Sequence, residues 1–188
     1  MRFIDSRHDR WHRVDGEDGP VPHPDPQPDR LLTLEQWHAV RGTWPRGLAA
    51  GVLRPNTFDV ATLADDLRGP RSRLALVLLQ FPKWTDGRAY SQARELRARL
   101  GFDGEVRAVG DVLVDMLPLL QRTGFDAVQL RHDQKIEAAV RALGFFPGHY
   151  QGDVRQPQPG FARDLDAEAR AAAVGQRDAS GLFAGQGI

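Results

Sequence analysis

The chain has 188 residues, 25 basic and 25 acidic side chains, and no cysteine. That length fits one domain of ~100–200 residues with tails, and zero net charge argues against a protein that coats nucleic acid. Without cysteine there can be no disulfide, thiol nucleophile or thiolate-held metal centre.

Met1 to Asp9 lacks the apolar stretch of a secretory leader, and the longest apolar run, Leu74 to Leu79, falls far short of the ~20 residues of a membrane helix. The expectation is a cytoplasmic chain with no membrane partner. Lys83 and Lys135 are the only lysines among the basic residues. The arginine and alanine bias reads as a GC-rich bacterial genome.

Residues 1–30 are polar and broken. Alternating prolines from Pro20 to Pro28 fix φ and remove amide donors, so this stretch reads as an extended, Pro-rich N-terminal arm and a spacer. Residues 31–150 have a different texture. Thr33-Leu34-Glu35-Gln36 reads as a capping box that opens a helix through Val40. Ala49 to Leu53 is a short strand. Asp59 to Leu67 carries Val60, Leu63, Ala64 and Leu67 at helical spacing. Leu74 to Leu79 is a continuous apolar run of strand length, as expected for a strand buried on both faces.

Tyr90, Ala93, Leu96 and Leu100 form the next helical stripe, and Glu105 to Val109 the next strand. Asp111 is placed to cap a helix that Pro118 should kink and Gly124 should end. Asp126 to Leu130 is a strand. Asp133 is placed to cap a helix through Leu143, and Phe145-Phe146 open a last strand towards Tyr150. Residues 151–188 read as a polar flexible tail with a short helix over Ala167–Ala173.

Strand and helix thus alternate, the signature of βαβ units. The expected fold is α/β, with a parallel sheet of four to five strands and flanking helices. It is either an open three-layer sheet or a half-barrel of βα units. In both, ligands bind at the carboxyl-terminal ends of the strands.

The residues that follow each strand are therefore the candidates. After Phe81 come Lys83, Trp84, Asp86, Gly87 and Arg88; after Val109 come Gly110 and Asp111; after Leu130 come Arg131 and His132. Arg107 is placed at the edge of this rim. Glycine before a helix, with Lys83 and Arg88 beside free amides, suits a phosphate, sulfite or sulfate. The bland reading makes Asp86 a cap paired to Arg88. Tyr90 reads as core. His8 and His12 stand four apart but lack the glutamate of a zincin, so no metal site is expected. No dinucleotide fingerprint, Walker loop or nucleophile elbow is present in the sequence.

Phe81-Pro82-Lys83-Trp84-Thr85-Asp86-Gly87-Arg88-Ala89-Tyr90-Ser91 is followed in order by Gly104-Glu105-Val106-Arg107-Ala108-Val109-Gly110-Asp111 and by Gly124-Phe125-Asp126-Ala127. Together these runs resemble the bacterial domain-of-unknown-function family 934. The resemblance covers roughly residues 30–150. It implies a setting in assimilatory sulfate reduction, because members are typically encoded beside sulfite reductase, and their oxidoreductase label comes from that neighbourhood. The family positions matched here are Lys83, Asp86, Gly87, Arg88, Tyr90, Ser91, Arg107, Gly110 and Asp111. Many members carry a cysteine before the Gly-Phe-Asp motif, where this sequence has Thr123. A redox mechanism built on a protein thiol is thereby excluded for this chain.

Two functional expectations follow. In the first, the chain is an accessory of sulfite reduction that binds sulfite reductase or its electron donor, and a partner or a bound flavin carries the electrons. In the second, it is an enzyme for an anionic small molecule, with Lys83, Asp86, Arg88 and Asp111 in catalysis. Gly87, Tyr90, Ser91, Arg107, Gly110 and Arg131 then bind the ligand, and Tyr90 or His132 supplies the acid. A non-catalytic structural module is the remaining reading. The residues name no cofactor.

Overall fold

The computed structural model describes residues 1–17, 19–57, 59–67, 73–146 and 149–164. Seven strands form one sheet: β1 (Arg2–Phe3), β2 (His12–Arg13), β3 (Arg30–Thr33), β4 (Ala50–Arg54), β5 (Leu74–Phe81), β6 (Glu105–Gly110) and β7 (Ala127–Val128). Every neighbouring pair is parallel, and the order across the sheet is β1-β7-β6-β5-β4-β3-β2. From β2 to β7 each strand lies beside its predecessor in sequence. With right-handed crossovers, such an order keeps every helix on one face and curls the sheet. The fold is a half-barrel of βα units, and the open three-layer alternative is set aside.

The helices are α1 (Leu34–Val40), α2 (Ala64–Leu67), α3 (Arg88–Arg94), α4 (Leu117–Thr123) and α5 (Ile136–Leu143). The Thr33 capping box forms as expected, with the hydroxyl accepting from Gln36 N–H and the Gln36 amide oxygen accepting from Thr33 N–H. The core divides in two. The larger part lies between sheet and helices and joins Trp37, Leu63, Ala93, Leu96, Leu117 and Leu120 to strand residues such as Val52, Val77, Leu79 and Val106. The smaller lies on the concave face and consists of Trp11, Leu31, Leu76, Leu78 and Val109. The alternation along β5 explains the split, because Leu76 and Leu78 point inward while Val77 and Leu79 point outward. Two covered faces are why that strand reads as an unbroken apolar run.

Several expectations need correction. The first 30 residues are not a mere spacer. They supply β1 and β2 at the two edges of the sheet, and the residues between them carry Asp9 and Trp11 to the concave face. The segment is held down by the Gln36 side-chain amide, which donates to the carbonyls of Val14 and Val21, each at 2.8 Å. The prolines from Pro24 to Pro26 do lie in irregular chain. Pro118 causes no kink. A 3₁₀ turn over Val114–Met116 precedes α4, so the proline falls in the first helical turn, where no amide donor is needed. Asp111 and Asp133 cap neither helix; both carboxylates face Arg131. Phe145, Phe146 and Tyr150 belong to no strand. Residues 149–164 lie in a second compact unit with one 3₁₀ turn, Gly160–Ala162, and the helix expected over Ala167–Ala173 lies outside the described residues.

Among the described residues no helix is long and apolar enough to cross a membrane. The concave face is tightly filled at Gly51. A Cβ there would sit 3.1 Å from the Trp11 ring, 3.2 Å from Leu76 and 3.3 Å from Leu31. Gly51→Val should therefore overpack this layer and cost about 1–3 kcal/mol, read as a lower urea midpoint. An unchanged midpoint would show that Trp11 is not seated against Gly51.

Candidate functional site

The carboxyl-terminal ends of β1, β6 and β7 open onto a cleft of about 650 Å³. Ile4, Ser6, Gly110, Gln129, Arg131 and His132 line it. A second, inner cleft of about 280 Å³ runs onto the concave face, between Asp9, Trp11, Leu31, Leu78, Gln80 and Gln129. Ser6 and Gln129 border both.

The rim is built by short-range electrostatics. Arg131, three residues past the end of β7, forks between two carboxylates. Its NH1 donates to Asp111 Oδ1 at 2.7 Å, while Nε and NH2 donate to the two oxygens of Asp133, each at 2.7 Å. These partners, Asp133 first, hold the guanidinium above its ordinary range. Asp111 also accepts the Trp84 backbone N–H at 2.9 Å. One carboxylate thus ties the loop after β5 to the loop after β7. The geometry depends on Gly110, which sits at φ +97°, where a side chain would meet the Phe81 carbonyl.

Of the residues singled out from sequence, Gly110, Arg131 and His132 line the outer cleft, and Asp111 stands behind it as the tether. Lys83, Asp86, Gly87 and Arg88 do not line either cleft. Asp86 accepts Arg88 N–H at 3.3 Å, Nε at 3.0 Å and NH2 at 2.6 Å, so it pairs with Arg88 as in the bland reading, but the helix N-cap is Gly87 and not Asp86. That contact, foremost, holds the Asp86 carboxyl well below the usual range. Lys83 and Ser91 are exposed. Tyr90 packs edge-on against Phe81, with centroids 5.2 Å apart, and burial pushes its phenol up.

Arg107 is placed differently from the edge position expected of it. It points onto the concave face at 2% exposure. Its Nε donates to Glu105 at 2.7 Å and its NH1 to Asp9, while Glu105 also accepts from Arg2 NH2 at 2.6 Å. This buried chain of charges fixes the N-terminal segment; it does not face the outer cleft.

Ser6, Asp9, Trp11, Gln80 and Gln129 were missed by the strand-end reading. A lone tryptophan in a polar arm was the available signal for the first three. Gln80, interrupting the apolar pattern of β5, was the signal for the inner cleft.

The chemistry available at the mouth is hydrogen bonding against apolar walls. Arg7 and Arg131 already have carboxylate partners, Asp5 for the first and Asp111 and Asp133 for the second. The Gln129 amide and the His132 imidazole are the polar groups best disposed to meet a ligand, since Gln134 already accepts the Val114 N–H at 3.0 Å and bonds Asp133. Among the described residues no group of three or more His, Asp or Glu side chains could hold a metal ion.

The Asp111 tether has a defined pH dependence. The Trp84 N–H, then Arg131, lower the carboxyl from its ordinary 3.8. A group whose native pKa is depressed contributes fully above its unfolded pKa and loses that contribution as pH falls through the native value. The Trp84 amide resonance should therefore keep its position down to about pH 4 and titrate below it. In Asp111→Asn that acid titration should vanish. A titration of the same size in the variant would assign it to another group.

The family model for "Bacterial protein of unknown function (DUF934)" matches residues 51–161. No curated protein matches the chain. Because the matched segment spans more than half of the sequence and includes all but the first residue of β4, and β5 through β7 with the loops that build the rim, the chain belongs to the DUF934 family.

Proposed function

We propose that this chain is a small-molecule-binding module of assimilatory sulfate reduction, with its ligand in the outer cleft at the carboxyl-terminal mouth of the sheet. The cleft itself carries the reading. Its volume of about 650 Å³ lies within the ~300–1,000 Å³ of ordinary ligand sites, at the end of a parallel sheet where such sites form. The sulfate-reduction setting rests on the resemblance of the Phe81–Ser91, Gly104–Asp111 and Gly124–Ala127 runs.

The paired state of the rim arginines favours a polar ligand held by amides over a bare anion. The exposed Asp86–Arg88 pair is a weaker candidate for anion capture than its charges suggest, since Arg88 already has its carboxylate. If the module turns a substrate over, Asp111 is a poor base, because hydrogen bonds stabilise its ionised form. His132 is then the better proton carrier.

The test is growth. A strain whose copy carries His132→Ala with Gln129→Ala should grow slowly on sulfate as sole sulfur source and normally on cysteine. Unimpaired growth on sulfate, with the variant folded and abundant, would remove this reading.

A second reading, docking onto sulfite reductase, is favoured by one observation. Along α5, Ile136 and Val140 stand one helical turn apart and exposed, and Phe145 (74% exposed) and Phe146 follow. Monomeric surfaces rarely leave such a run uncovered. Co-purification of sulfite reductase should then be lost in Val140→Asp with Phe145→Ser. Its persistence would count against docking by this face.

A further inference from the structure

Ile136, Val140, Phe145 and Phe146 each expose more than half of their surface, and the two phenylalanine rings stand edge to face with centroids 5.4 Å apart. Beside this stripe on α5 lie Glu137 and Arg141, both exposed. They are four residues apart, where such a pair ordinarily meets on one helix. Here neither has an ion-pair partner among the described residues. Glu137 in the first turn and Arg141 in the last also suit the helix dipole, which accounts for their signs but not for the apolar stripe beside them. One face thus combines uncovered apolar surface with one unspent charge of each sign.

We infer that the occupant of this face is a second copy of the chain, whose α5 packs antiparallel on the first across a two-fold axis. Such an axis brings residue i to residue j and j to i. Placed at the level of Ala139, it sets Glu137 of each copy level with Arg141 of the other on the same flank, so both cross-pairs form at once. The two Val140 side chains then lie about 3 Å apart along the helix direction, with the Ile136 side chains outside them, and the four interleave. A parallel pair of helices sets Glu137 beside Glu137 and Arg141 beside Arg141, which repel. An unrelated surface would need the same pattern in reverse, whereas a second copy carries it necessarily.

The pairing reaches the outer cleft. Ile136 lines that cleft as well as the stripe, and His132 lines it four residues earlier. In the antiparallel arrangement the end of one α5 lies beside the start of the other. Phe145 and Phe146 of one copy therefore fall over Ile136 and His132 of the other, and each mouth gains an apolar wall from the second copy. That wall rests on the outer cleft being the ligand site; the pairing itself rests on α5 alone. A standard interface takes roughly 800 Å² from each partner. With ~150–250 Å² to bury per phenylalanine, the four apolar side chains supply about half of it. A Kd in the micromolar range is the expected strength.

The test is the oligomeric state of the full chain by sedimentation. The parent should be dimeric at about 100 µM, and Val140→Asp should be monomeric there. Glu137→Arg should weaken the dimer at least about tenfold. Glu137→Arg with Arg141→Glu should return it to within about threefold of the parent, because the reversed charges are again self-complementary. The chain has no cysteine, so Val140→Cys should cross-link to a covalent dimer under a mild oxidant, while Arg94→Cys on α3 should not. A parent that stays monomeric at ~1 mM, a charge-swapped chain no tighter than Glu137→Arg, or equal cross-linking of the two cysteine variants overturns the inference. Sulfite reductase as the occupant of this face gives the first two of these results. A dimer together with normal growth of the His132/Gln129 strain on sulfate keeps the pairing and removes its part in a ligand site. A monomer together with slow growth does the reverse.

Discussion

The concave face depends on one buried cation. Arg107 is almost fully removed from solvent, and its guanidinium lies between Glu105 on its own strand and Asp9 on the segment joining the two edge strands. A guanidinium stays ionised, so burying it is tolerable only where carboxylates and hydrogen bonds replace its water. Glu105 alone would balance the charge. Asp9 does something further: it makes the cation a reason for the N-terminal segment to lie across the open side of the sheet. Once Asp9 is there, Trp11 two residues later reaches Leu31, Leu76 and Leu78, and Gly51 supplies the space for its ring. The inner cleft, its indole wall and the edge position of β2 all follow from that contact.

The two ends of the sheet are held by different means. At the amino-terminal ends of β6 and β7, Arg97 donates to the carbonyls of Gly104 and Gly124 and to the Asp126 carboxylate, which also accepts Val106 N–H. Arg97 reaches them from the π-helical turn Glu95–Arg99, whose extra residue per turn re-aims side chains relative to α3. At the opposite end the ties run between loops, through Asp111 and Arg131, and leave volume between them. At one end the ties run to backbone carbonyls; at the other they run between side chains that bracket the outer cleft.

How much of this could be read in the sequence varied with how local the cause was. β5 and β6 were legible because both faces are covered, and burial on two sides writes an apolar run. The Thr33 box was legible because its two hydrogen bonds span only three residues. β1 and β2 have two residues each, too short for any alternation to register. Their pairing is decided by partners far along the chain, Arg2 by Ala127 and His12 by Arg30. Asp111 and Asp133 looked like caps because an aspartate before a helix usually is one; here Arg131, local to Asp133 and distant in sequence from Asp111, takes both carboxylates. The half-barrel itself became distinguishable from an open sheet only through strand order, which composition does not encode.

Strand-end reasoning leads to the end of the sheet at which the outer cleft opens, and the charges there draw attention to Lys83, Asp86 and Arg88, which line neither cleft. On this rim, however, charged side chains are largely consumed by one another: Asp86 takes Arg88, Asp5 takes Arg7, and two aspartates take Arg131. What remains without a carboxylate partner to meet a ligand is the amides of Gln80 and Gln129 and the imidazole of His132. Yet the Lys83–Arg88 loop is not independent of the mouth. Its Trp84 amide is held by the same carboxylate that holds Arg131, so a displacement of Arg131 by a bound molecule would be felt at Trp84 through a single side chain. A loop rich in charge can thus matter to a site it does not line, by holding the bracket on which the site's one shared arginine rests.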